Sequence, residues 1–244
     1  METIPEPALT PELIRERWDQ LQARLRAAAE GAGRDPDRFR IVAVTKGFEV
    51  AAVRAALAAG LTLFGENRVQ EAGPKVEAAP DAEWHMIGRL QSNKVRSALG
   101  LFGTIHSVES LELLQRIERI AHDDGHRPSL LLQVDTSAAG GRVGFAREAF
   151  AAEARIAGSD LVRALQELHA ARVVGLMAMA PIDDTPARQH FAALRQFRDE
   201  LQSSTGLPLP ELSMGMTADA EDAVAEGATL VRIGTAIFGP RPHR

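Results

Sequence analysis

The feature that most constrains this chain is a rhythm. Short apolar runs recur at 40–45, 63–66, 84–88, 104–108, 129–135, 173–179, 211–214 and 229–233. Each is too short for a helix and reads as a buried strand. Helix-like segments lie between them, at 50–59, 69–78, 92–99, 110–123, a long one around 159–171, 185–203 and 217–226. Gly60, Gly100, Gly125, Gly206 and Gly227 stand where those helices should stop. Strands alternating with helices pair in parallel through right-handed crossovers. A closed (β/α)8 barrel and an open doubly wound sheet both satisfy that pattern. The strand number favours the barrel, and no G-x-G-x-x-G follows the first strand. The chain has 244 residues, and one such barrel takes about 250. The expectation is an α/β chain forming a single TIM-type barrel domain over residues 1–244, with the barrel at 40–239. An additional N-terminal helix at 11–30 precedes it. Thr10 can cap that helix, Pro11 suits its first position, and Leu13, Ile14, Trp18, Leu21 and Leu25 share one face.

Charge and composition remove several function classes. The net charge of −5 does not favour nucleic acid. No run approaches the roughly 18 apolar residues of a membrane span. The opening "METIPEPALTPELIRERWDQ" is acidic and proline-rich, unlike a signal peptide. A cytoplasmic location follows as the expectation. With no cysteine, disulfides, thiolate metal sites and cysteine nucleophiles are excluded. With no tyrosine, one common catalytic acid/base is missing.

In a barrel, the carboxyl ends of the strands form the rim where sites assemble. The first run, "RIVAVTKGFE", stops at Lys46. A strand-end amine can be aimed, and a partly apolar site can lower its pKa; it can also simply snorkel into solvent. "LSMGMTAD" places Ser213, Gly215 and Thr217 at a strand-to-helix turn, and "RIGTAIFG" places Gly234 and Thr235 at the next. Loops after the last two barrel strands commonly hold a phosphate. Gly215 would let backbone approach a ligand, and Thr217 could cap the following helix. Each motif alone has a bland reading. Together with Lys46 they favour a phosphorylated carbonyl ligand. Arg232 shares a strand face with Leu230 and Gly234. It is read either as a structural ion pair with a strand-end carboxylate such as Glu66, or as a donor to a ring nitrogen of a cofactor. His85 and His106 could join Glu66 and Asp135 around a metal, but the spacing lacks H-x-H or H-E-x-x-H, so no metal is expected. "QSNKVR" at 91–96 is a basic helix start, and Lys94 could reach the rim.

The segments "VAVTK", "FGENRVQE", "WHMIGRLQSNK", "IHSVES", "GLMAMAP" and "LSMGMTADAEDAVAEGATLVRIGTAIFG" resemble, in order and spacing, the pyridoxal phosphate homeostasis proteins. The resemblance runs from about Arg40 to Gly239. It implies a barrel similar to the N-terminal domain of alanine racemase, with pyridoxal 5′-phosphate joined as a Schiff base to the lysine closing the first strand, here Lys46. It further implies that Ser213, Thr217, Gly234 and Thr235 hold the phosphate, that Arg232 faces the pyridine nitrogen, and that Asn67 lines the pocket. His85 belongs to a family motif without an assigned contact. The chain departs from the family at Gly47–Phe48 and in "TSAAGGRVGF", where Arg142 would fill a basic role. No catalytic residue is assigned, because an arginine at the ring nitrogen weakens the electron sink. The favoured reading is a cofactor carrier in vitamin B6 homeostasis and amino-acid balance. It would be a monomer, with apoenzymes as recipients. A pyridoxal-phosphate racemase or decarboxylase and a Schiff-base aldolase stay open as alternatives.

Overall fold

The computed structural model describes residues 9–137, 143–156, 158–181 and 185–241. Helix α1 (Pro11–Gly31) opens the described chain. Thr10 caps it by accepting from Leu13 N at 3.3 Å, and Ile14, Leu21, Leu25 and Ala29 turn its apolar stripe inward. Then come β1 (Arg40–Val44), α2 (Val50–Ala58), β2 (Leu63–Glu66), α3 (Val69–Ala78), β3 (Glu83–Met86), a 3-10 turn (Ser92–Lys94), α4 (Val95–Leu99), β4 (Thr104–Val108), α5 (Leu111–Asp124) and β5 (Ser129–Asp135). The second half carries β6 (Phe145–Ala146), α6 (Arg147–Ala154), α7 (Asp160–Gln166), β7 (Arg172–Met177), α8 (Ala187–Thr205), β8 (Glu211–Ser213), α9 (Ala220–Ala225), β9 (Leu230–Ile233) and α10 (Thr235–Phe238).

The strands form a closed parallel ring, β1-β2-β3-β4-β5-β7-β8-β9, with β9 returning to β1 and β4 joining β5. The two-residue β6 pairs with the end of β5 and stands outside the ring. This is the expected TIM barrel. Two apolar layers hold it. Phe64, Phe191, Ile105, Leu114 and Ile117 belong to the large cluster between sheet and helices. Val42, Leu63, Leu131, Met177 and Leu230 form a smaller inner cluster. The fully buried His85, His106 and Ser213 come from β3, β4 and β8 and place a polar slice through the barrel.

Three local expectations change, each for a physical reason. The long helix around 159–171 is only α7, capped by Ser159, whose hydroxyl accepts from Val162 N. It stops because Glu118 accepts the N–H groups of His169, Ala170 and Ala171 at 2.8, 2.9 and 2.8 Å, which turns those amides away from the helix. The extra helix α6 buries only Phe150 and Ala154, too little apolar surface to announce itself by periodicity. Helix α9 begins at Ala220 and not at Thr217, because Asp219 Oδ1 takes the Met216 N–H at 2.6 Å and closes a turn first.

Strands β7 and β8 approach so closely that a Cβ on Gly175 would lie 1.9 Å from the Glu211 carbonyl oxygen. Backbone cannot yield as a side chain can. Gly175→Ala is therefore expected to destabilise the fold by about 1–3 kcal/mol, read as a lower urea midpoint with an unchanged slope.

Candidate functional site

Val42 belongs to the inner cluster, and alternate residues of β1 share its face, so Lys46 follows Val44 toward the barrel mouth. There it lines a cavity of about 330 Å³ with Phe48, Asn67, Ile87, Met179, Thr217, Arg232, Gly234, Thr235 and Arg241 among its walls. The structure thus brings Lys46, Asn67, Thr217, Arg232, Gly234 and Thr235 together at the carboxyl ends of β1, β2, β8 and β9. Arg241 is an addition that strand-end reasoning missed. It comes back from the end of the chain over Gly47, whose hypothetical Cβ would sit 3.1 Å from Arg241 Cδ.

The environment of Lys46 favours the neutral amine. Burial and the positive charge of Arg241 lower its pKa, and the Glu66 carboxylate opposes them in part. Glu66 itself is fully buried and does not pair with Arg232, contrary to one of the readings above. Its partner is Lys75, whose Nζ lies 2.5 Å from Glu66 Oε1 and 2.8 Å from the Thr45 carbonyl oxygen. Thr45 Oγ1 donates to the same Glu66 oxygen at 2.6 Å. Helix α3 thereby clamps the residue immediately before Lys46. Lys75 is a functional neighbour that the sequence reading did not single out, and the fold shows it to be buried.

Arg232 has no carboxylate within salt-bridge distance among the described residues. Its NH1 donates to Ser213 Oγ at 2.6 Å and its NH2 to the Ala178 carbonyl at 2.9 Å. Burial pushes its pKa down to about 10, with Asp219 opposing, so it stays a cation at neutral pH. Ser213, expected beside a phosphate, lies instead behind Arg232 with its hydroxyl between the guanidinium and His106. Gly215 also differs from expectation. It is not on the cavity wall; its φ of +90° and a hypothetical Cβ only 2.5 Å from Ala223 Cβ tie it to packing against α9. Thr217, released from capping, faces the cavity with Ala218.

Lys94 does not line this cavity. It lines a second one of about 550 Å³ beyond Asn67, with Arg68 and Arg89. Those arginines pair with Glu71 and Glu109. Arg142 lies outside the described residues. The residues weighed as metal ligands are dispersed: His85 and His106 bond to each other, Glu66 to Lys75, and Asp135 to Ser137. No group of three or more metal-ligating side chains occurs among the described residues.

The donor set suits pyridoxal phosphate. An amine of lowered pKa, a buried cation at the floor, two threonine hydroxyls and a glycine on adjacent turns share a space of small-ligand size. Comparison with known proteins points the same way. The alanine racemase N-terminal domain family matches residues 17–242, and the fold of Streptomyces lavendulae alanine racemase aligns with 96% of this chain and 58% of that one at TM-score 0.72 and 21% identity. The protein is thus a barrel of the alanine racemase N-terminal type. A pyridoxal phosphate homeostasis protein of Pseudomonas aeruginosa is 43% identical over 94% of this chain and 96% of its own. PipY of Synechococcus elongatus, solved with PLP bound, is 40% identical, covers 93% of this chain and 100% of its own, and superposes at TM-score 0.79. The chain belongs to the pyridoxal phosphate homeostasis protein family.

Removing the Arg241 charge should raise the Lys46 pKa, since that cation opposes the ammonium. Arg241→Gln should therefore shift the pH midpoint for acylation of Lys46 in cofactor-free protein upward. The rate at a given pH below that midpoint should fall. Peptide-resolved mass spectrometry measures both.

Proposed function

We propose that this protein carries pyridoxal 5′-phosphate on Lys46 and takes part in intracellular homeostasis of that cofactor and in amino-acid balance. The observation that carries the reading is a strand-end amine of lowered pKa facing two adjacent threonine-bearing turns, in a relative of PipY, which was solved with PLP bound. When bound, the cofactor supplies an aldehyde that reacts with amines and a phosphate that anchors it. Thr217, Gly234 and Thr235 hold the phosphate. Arg232 faces the ring nitrogen, and Asn67 forms one wall. Ser213 serves the site through Arg232.

The residues support holding more than turnover. Arg232 only donates, so it cannot accept a hydrogen bond from a protonated ring nitrogen and leaves the ring a weaker electron sink. The chain has no tyrosine to act as a second base. The mouth is partly open, with Met179 and Met216 exposed on its edge. That suits entry of an amine to free the cofactor and its passage to apoenzymes. The named relatives are homeostasis proteins. We read the chain as one domain acting as a monomer in the cytoplasm. Among the described residues no helix is long and apolar enough to cross a membrane.

Purified protein loaded with the cofactor should show an absorbance band near ~420 nm that Lys46→Ala lacks and that borohydride abolishes. A colourless protein that condenses with a ketose phosphate would instead support an aldolase. Amino acids labelled with deuterium at the α-carbon should keep their label over hours with the loaded protein; loss at enzyme-like rates would make it a racemase or decarboxylase.

A further inference from the structure

Arg232 is the last member of a hydrogen-bonded chain that crosses the barrel. Its NH1 donates to Ser213 Oγ at 2.6 Å. Ser213 Oγ lies 2.7 Å from His106 Nδ1, His106 Nε2 lies 2.9 Å from His85 Nδ1, and His85 Nε2 lies 2.7 Å from Glu83 Oε1. The side chains come from β9, β8, β4 and β3 in turn. Arg232 opens onto the cavity at the carboxyl rim. Glu83 starts β3 at the opposite rim, where its side chain is 45% exposed and Arg40 donates to its other oxygen at 2.9 Å.

One assignment of protons satisfies every member. An ionised carboxylate only accepts, so Glu83 takes the Nε2–H of His85. The Nδ1 of His85 then accepts from Nε2–H of His106, whose own Nδ1 accepts the Ser213 hydroxyl proton. The Ser213 oxygen keeps its lone pairs for Arg232. All the bonds run one way, from guanidinium to carboxylate. In the reverse order Ser213 would accept from both His106 and Arg232, and its hydrogen would have no acceptor among the described residues. The surroundings agree: burial first, and the positive charges of Arg232 and Arg40 besides, hold the His106 pKa well below its usual value. The bond from His85 is the main influence lowering the Glu83 pKa.

Apolar side chains would fill this space at less desolvation cost. What the polar chain adds is direction. It engages two of the five N–H donors of Arg232, counting the bond to Ala178, and so fixes how the plane of the guanidinium meets the cavity. We infer that His106 and His85 are positioning residues for the ring nitrogen of the bound cofactor: through Ser213 they orient Arg232, and Glu83 sets the sense of the chain from the far rim. This rests on reading the cavity as the pyridoxal phosphate site.

The test compares binding of pyridoxal phosphate with binding of its 1-deaza analogue, whose ring nitrogen is replaced by C–H, to cofactor-free protein. His106→Leu should weaken pyridoxal phosphate about tenfold, the scale of one hydrogen bond to a charged group, and change the analogue by less than about twofold. His106→Asn, which can again accept from Ser213, should restore much of the loss. Glu83→Gln, on the far rim, should act in the same direction by a few-fold. Equal losses for both ligands, or no loss in either His106→Leu or Glu83→Gln, would overturn the inference. If His106→Leu does not fold, Glu83→Gln decides alone by the same comparison. Wild-type protein that shows no Lys46-dependent binding of either ligand would overturn the site reading, and this inference with it.

Discussion

A guanidinium buried on the last barrel strand, with no carboxylate beside it among the described residues, sets the terms for what surrounds it. A buried charge is costly unless polar groups replace its water. Here the carbonyl of Ala178 and the hydroxyl of Ser213 replace part of it. Nearby imidazoles then cannot be cations without adding to the cost, and His106 is accordingly neutral. The side of Arg232 that faces the cavity is left to whatever enters. A neutral aromatic nitrogen bearing a lone pair is a suitable partner, because it accepts without demanding the proton.

The second buried cation follows a different rule. Lys75 is paired with Glu66, and Thr45 joins both. Among the described residues, no hydrogen-bond donor reaches the buried Glu66 Oε2. This carboxylate holds the end of β1 in place and still tempers the electrostatics of Lys46 from below, while Arg241 acts from above. The amine therefore sits between opposing influences, and burial, the largest of them, sets the direction of its pKa shift downward. Position and reactivity come from different residues: α3 supplies the position, and the carboxyl-terminal segment supplies much of the charge effect.

Much of this was legible in the residue order. The period of the apolar runs announces the barrel, because a parallel strand buried on both faces must be apolar throughout. Lys46, Thr217, Arg232, Gly234 and Thr235 were legible because barrel rims are addressed by strand ends. The partnerships were not. Glu66 meets Lys75 and not Arg232, and Ser213 meets His106 across the interior. Strand parity says which face a side chain shares but not which of several groups on that face lies within bonding distance. The end of α7 was hidden for a similar reason, since Glu118 takes its amides from another helix. Arg241 lay beyond the last strand, where no periodic signal reaches.

The return of Arg241 to the mouth has a practical side. A bulky group attached beside Arg241 stands next to a side chain that lines the same cavity as Lys46. An affinity handle there would crowd the entrance and alter the local field at the reactive amine. Labels intended for ligand titration are better placed on the solvent face of α1, which packs against α2, α9 and α10 on the outside of the barrel.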